Sequence, residues 1–335
     1  LERRPGPLGM VLLELKRRLY LYVAIDAVAA LLAGYMVDLS GINMRPIGVA
    51  AVFIMLYPML TGLIVERVRK AGRNYRLIGV TLFYAYIVAS ATAYVISRSI
   101  LSSYPDVAFA LVMVGAIPCS NMLIGWAGIA DASVEDALVI AVAGLLLIPI
   151  LSPILIRING GVFVHFSTAR LFEILLAYII IPLVLGLWTR RIIIKRRGMK
   201  YFMSIRRFLP GVSATGILLI VFFSVAKVAR TVVGRPVIFL LVLAGLLSYY
   251  AVQTLLSIAA AKLMNLSYEQ GLVLILGATA SSQAISLSVA ATMFSALTVF
   301  ALSFKPIIQV LYILFLIYYV GPKLKAMLGS ESLEK

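Results

Sequence analysis

Long apolar runs separated by short, mostly basic segments set the pattern of this chain, and a helix needs roughly 20 mainly apolar residues to cross the hydrocarbon of a bilayer. Ten stretches qualify: Leu19 to Val37, Pro46 to Val65, Leu77 to Ile96, Val107 to Ile129, Ala137 to Ile156, Leu171 to Thr189, Leu209 to Ala229, Pro236 to Ala261, Tyr268 to Leu297 and Pro306 to Val320. The expected fold class is all-α integral membrane. No polar linker is long enough to separate two bodies, so the expected organisation is a cytoplasmic segment 1–18, one transmembrane domain 19–321 and a cytoplasmic tail 322–335.

Composition agrees. Of 335 residues 63% are hydrophobic and 13% charged, with a mean hydropathy of +1.07, more apolar surface than a soluble domain of this length can hide. The net charge of +17 comes from 30 Lys plus Arg against 13 Asp plus Glu. These basic residues cluster between apolar runs without aromatic interleaving, which argues for loops facing anionic headgroups and against nucleic acid. One side receives Arg3, Arg4, Lys16 to Arg18, Arg67 to Arg76, the run from Arg190 to Arg207, Lys262 and the tail lysines. The other receives Arg45, Arg98, Arg157, Arg170, Lys227, Arg230, Arg235 and Lys305, about 8 of the 30. Positive charge stays inside, so both termini are expected in the cytoplasm of a plasma-membrane protein. The first span serves as the insertion signal, since no small-residue cleavage site precedes it.

An internal repeat points to the centre. Gly115-Ala116-Ile117-Pro118-Cys119-Ser120-Asn121 in span four matches Gly277-Ala278-Thr279-Ala280-Ser281-Ser282-Gln283 in span nine. Two five-helix halves, about 19–158 and 169–321, place these segments in corresponding spans that enter from opposite sides, an inverted repeat. Both put Gly and small polar residues mid-span, and Pro118 removes a backbone hydrogen bond. Gly115, Pro118 and Gly277 are therefore the expected helix breakers. Backbone freed at membrane depth must be satisfied by protein, water or cargo. One such segment is explained by close helix packing; the matched pair favours a substrate site where two broken helices cross.

These residues resemble a known group. Gly115, Cys119, Met122 and Trp126, followed by Ala130-Asp131, are similar to the fourth-helix signature of the arsenite-efflux permeases, within the superfamily of bile acid, arsenite and riboflavin transporters. Met55 to Leu60 is similar to that family's second-helix pattern, and Ile181 to Arg191 with the following basic loop and Phe208-Leu209-Pro210 to its sixth helix. The resemblance implies efflux of arsenite, with Cys119 as the functional thiol. Two departures stand out: Pro118 replaces an Arg that many members carry before the thiol, and no Glu between Gly277 and Leu297 matches the ninth-helix Glu associated with proton coupling.

As(III) is a soft centre and Cys119 is the one thiol in the chain, too few for an internal disulfide or a thiolate cage and weak enough for a carrier that must release its load. Ser120, Asn121, Thr279, Ser281, Ser282 and Gln283 offer partners for the hydroxyl groups of the cargo. A free Cys is otherwise commonly a small buried hydrophobe. Asp26 in span one and Glu173 in span six are candidate proton carriers, although each lies near a span end where snorkelling or an ion pair serves as well. Ser133 and Ser267 read as helix caps, Gln253 and Thr254 as interhelical contacts, and His165 has no ligand partners at metal spacing. No cofactor or resident metal is expected; the coupling ion is H+ or Na+. No phosphate-cradling motif is present, so a gradient is the expected driving force, with an associated soluble ATPase and self-association left open.

Two rivals remain. A sodium-coupled symporter of an organic anion, of bile acid type, is consistent with Ser120-Asn121 after the break. An intramembrane enzyme finds no paired carboxylates, nucleophile with base, or His set.

Overall fold

The computed structural model describes residues 7–37, 44–62, 74–119 and 121–328, and among them it is helical, with no named strand. The helices are α1 (Pro7–Arg17), α2 (Leu19–Met36), α3 (Met44–Thr61), α4 (Tyr75–Ile100), α5 (Pro105–Ala116), α6 (Asn121–Ile129), α7 (Val134–Gly160), α8 (Thr168–Arg206), α9 (Leu209–Val233), α10 (Val237–Leu263), α11 (Tyr268–Thr279), α12 (Gln283–Met293), α13 (Ala296–Ser303), α14 (Lys305–Phe315) and α15 (Gly321–Leu328). A π-helical segment, Tyr84–Val88, lies inside α4, and another, Leu316–Val320, joins α14 to α15.

Among the described residues, six helical stretches are long and apolar enough to cross a membrane: α4, α7, α8, α9, α10 and the run Ala296–Leu328. The remaining apolar helices are shorter, and two of the expected spans, four and nine, are split. The last boundary differs from the sequence expectation. The chain turns at Phe294–Ser295, where Ser295 Oγ accepts from the Thr298 N–H at 3.2 Å and caps α13. Lys305 and Pro306 look like a loop followed by a helix start, yet they lie inside the final membrane-length run, and Lys305 is fully buried.

The chain forms two compact units. Unit 1 comprises residues 1–63, 173–236 and 284–307. Its centre is α9, against which α1, α2, α3 and α13 pack. Small residues allow this: a Cβ on Gly34 would collide with the Ala226 carbonyl, and one on Gly216 would come within 2.6 Å of the Ala51 carbonyl oxygen. Within α8 the backbone kinks at Gly198, whose φ of +80° a side chain would strain. Beyond it Phe202 is buried under the Arg190 guanidinium, 5.5 Å from the ring centroid, and Arg206 Nε donates to the Gly62 carbonyl at 2.7 Å.

Unit 2 comprises residues 64–172, 237–283 and 308–335. Here α5 is buried from Val107 to Ala116 and α11 from Gly271 to Thr279. A helix enclosed on every side has no polar face to display, which is why neither segment shows an amphipathic stripe. Around them pack α4, α6, α7, α10 and α15.

Candidate substrate site

The site in unit 2 starts from two interruptions. Helix α5 ends at Ala116, Ile117 is extended (φ −119°, ψ 96°), the chain passes through Pro118 and Cys119, and α6 begins at Asn121. Helix α11 ends at Thr279, Ala280 is extended (φ −77°, ψ 149°), and α12 begins at Gln283. The interruptions meet. Pro118 and Ser281 form an antiparallel bridge, and the Ser282 N–H donates to the carbonyls of Ile117 and Pro118 at 3.2 and 3.1 Å. Backbone groups freed by one break thus satisfy those freed by the other, as irregular backbone at membrane depth requires.

Side chains complete the satisfaction. Ser152 of α7 donates its hydroxyl to the Ala116 carbonyl at 2.7 Å. Gln309 of α14 accepts on Oε1 from the Ser281 N–H at 3.2 Å and from the Tyr250 hydroxyl at 3.3 Å. The Tyr312 hydroxyl lies 3.1 Å from both the Tyr250 carbonyl and Thr254 Oγ1, and Thr254 Oγ1 is 3.5 Å from Thr279 Oγ1. The Tyr250 and Tyr312 rings stack with centroids 5.3 Å apart. Gln253 Nε2 donates at 3.2 Å to the carbonyl of Tyr84, which opens the π segment.

Around this crossing the structure gathers most of the expected residues. Cys119, Thr279, Ser281, Ser282 and Gln283 are all buried, and Cys119 lies within electrostatic reach of Tyr250. Cys119 also borders an apolar cluster with Leu123, Ala280 and Ile313, so its thiol faces a mixed surface. Asn121 opens α6, and Ser120 lies outside the described residues. Among the described residues of unit 2, the buried polar atoms without a hydrogen-bond partner include Ser281 Oγ, Gln253 Oε1, Thr81 Oγ1 and Trp126 Nε1. A buried polar atom left this way costs free energy that a hydrogen-bonding partner would recover.

Other expected residues fall elsewhere. Gly115 and Gly277 sit within α5 and α11, one and two residues before the helix ends, and serve close packing: a Cβ on Gly115 would collide with the Ala89 carbonyl, and one on Gly277 would come within 2.7 Å of Thr81 Cγ2. Asp26 and Glu173 belong to unit 1. Asp26 is partly buried with Oδ2 unpartnered, whereas Glu173 is exposed. Among the described residues no three His, Cys, Asp or Glu side chains gather as a metal site. Gln309, Tyr250 and Tyr312 escaped the sequence reading; the one available signal was a lone amide and two phenols on apolar spans.

Residues 49–235, more than half of the chain, match the Sodium Bile acid symporter family. The chain belongs to this family. It is 22% identical over 320 residues to the Arsenical-resistance protein Acr3 of Corynebacterium glutamicum, covering 88% of this chain and 84% of that protein. It is 25% identical over 204 residues to the Arsenical-resistance protein Acr3 of Alkaliphilus metalliredigens, 57% of each. Family membership and the long apolar helices make this a multi-pass membrane protein and a transporter. The matched segment contains Cys119 and the first interruption; the second lies beyond it.

Proposed function

We propose that the protein is a secondary carrier that exports arsenite or a related small oxyacid by alternating access, driven by a transmembrane gradient. The observation that carries this reading is the backbone pairing of Pro118 with Ser281 beside the buried thiol of Cys119, in a chain similar to two arsenical-resistance proteins. In this reading the ten expected spans form two inverted five-helix halves in the plasma membrane, with both termini in the cytoplasm. Cys119 engages the soft As(III) centre. Thr279, Ser281, Ser282 and Gln283 together with Ser120 and Asn121 meet the cargo's hydroxyl groups, and the freed N–H groups at the two helix starts favour oxygen. The test has two parts. The protein should restore arsenite tolerance to sensitised cells, and Cys119→Ser should abolish that tolerance at unchanged membrane abundance. Full tolerance in the variant removes the thiol from the mechanism; no tolerance from the intact protein removes arsenite as cargo.

The name of the family supports a second reading, sodium-coupled symport of an organic anion. A hard cation is usually held by oxygens that include a carboxylate, and the segments 117–121 and 279–283 contain none. Everted vesicles given arsenite or taurocholate, under separately imposed proton and sodium gradients, distinguish the two: arsenite accumulation driven by protons supports export, and sodium-driven taurocholate movement supports symport.

A further inference from the structure

Lys305 is the one charged residue in the run from Gln283 to Val320, and it is 0% exposed. Position makes this consequential. The final membrane-length run starts at Ala296, capped by Ser295, and Lys305 follows nine residues later. At 1.5 Å per residue that is about 14 Å, half the thickness of a hydrocarbon core of about 30 Å. Loop charge suggests the outer surface for this residue; its burial and its distance along the run argue for a place within the span. An ionisable group kept at that depth is a functional group by default, because desolvation penalises its charge throughout the life of the protein.

The ammonium donates to Ser286 Oγ at 3.4 Å, among other contacts. Ser286 is itself fully buried, one helical turn along α12 from Gln283, the residue on which that helix restarts after its interruption. Lys305 also opens α14, followed by Pro306, so it sits at a second helix start. Of the elements packed nearby, α12 and α13 contain no charged residue, and Lys227 and Arg230 of α9, which packs on α13, are exposed. Asp26 lies on α2, which also packs on α9, and Glu173 of α8 is exposed.

We propose that Lys305 is the group whose proton is exchanged for the cargo, an assignment that rests on the export reading above. An amine suits this task because it can both hold and yield its proton in proteins, whereas a guanidinium stays charged. With the carrier open to the outside, the amine takes a proton from water. With the carrier open to the cytoplasm, the ammonium gives that proton to water as cargo enters. One proton crosses inward for each acid molecule expelled, and the Ser286 hydroxyl orients the amine between the two states. This gives Lys305 the role that the sequence alone offered to Asp26 and Glu173.

The test uses everted vesicles containing the full chain, in which export appears as uptake. Two activities are read: exchange of labelled for unlabelled arsenite at equal pH, and net accumulation when the vesicle interior is one pH unit more acid, with the membrane potential collapsed. For a neutral acid exchanged with one proton, that gradient supports accumulation of up to about tenfold in the wild type. Lys305→Met should keep exchange within about fivefold and reduce the accumulation ratio to about one. Lys305→Arg, which keeps charge and length without releasing a proton, should show the same loss and carries the test if the Met variant does not reach the membrane. Wild-type accumulation in either variant overturns the proposal. So does joint loss of exchange and accumulation at normal abundance, which would make Lys305 a positioning residue, and so does loss of accumulation in Asp26→Asn with retention in Lys305→Met. Absence of arsenite exchange in the wild type counts against the cargo instead; the same comparison with taurocholate then decides the role of Lys305.

Discussion

At the residue scale, the crossing depends on a few polar atoms doing two things at once. Gln309 Oε1 receives both the Ser281 N–H and the Tyr250 hydroxyl. Replacing it with Leu strands a backbone donor that has nowhere else to turn, whereas Tyr250→Phe removes a donor and leaves the Ser281 bond intact. Leaving a buried donor unsatisfied costs about 1–3 kcal/mol, against about 1 kcal/mol for loss of an ordinary hydrogen bond. Gln309→Leu is therefore expected to lower the melting temperature in detergent by more than Tyr250→Phe; equal melting temperatures would show that the break is held without the amide. The sequence exposed Cys119 and the small polar residues of 279–283 because they recur as a pair. It did not expose Gln309, Tyr250 or Tyr312, since single polar groups inside apolar runs have no spacing to betray them.

Elements show the same division between what a pattern records and what it leaves out. The six long helices follow from apolar length alone, and the two interruptions from the repeated Gly-Ala-x-x-(Cys/Ser)-Ser segment with Pro118. The last turn did not follow, because Lys305 and Pro306 imitate a loop and a helix start more loudly than Ser295, the residue that caps α13. Glycine contacts give a direct test of element packing. Adding a Cβ at Gly277 forces the backbone of α11 against Thr81 Cγ2, while at Gly125 in α6 a Cβ meets nothing within 4 Å. Gly277→Ala is expected to destabilise by about 1–3 kcal/mol through overpacking. Gly125→Ala should be neutral or stabilising by up to about 1 kcal/mol through helix propensity. Thermal unfolding of the two purified variants checks both, and a neutral Gly277→Ala would mean that α11 and α4 are looser than drawn.

For the whole molecule, charge placement predicts a topology that labelling can test, and contact gives the architecture of each unit. The +17 net charge is concentrated on one expected side of the membrane, and α8 carries much of it beyond Arg190. In a Cys119→Ser background, a single cysteine at Lys195 is expected to react with an impermeant maleimide only from the cytoplasmic side, and one at His165 only from outside. Reaction of both from one face would invert or break the ten-span order. The division into two three-segment units was not legible, because long-range contact among α2, α3 and α9, or among α4, α10 and α11, leaves no mark in local hydropathy.

The rung between Pro118 and Ser281 is built from main-chain atoms, with Ser282 donating to two carbonyls. Its geometry is therefore largely indifferent to which side chains flank it. In the proposed carrier, residues 119–121 and 281–283 can therefore change in chemistry while the scaffold that displays them persists, so a change of solute would take a handful of substitutions and no redesign of the frame.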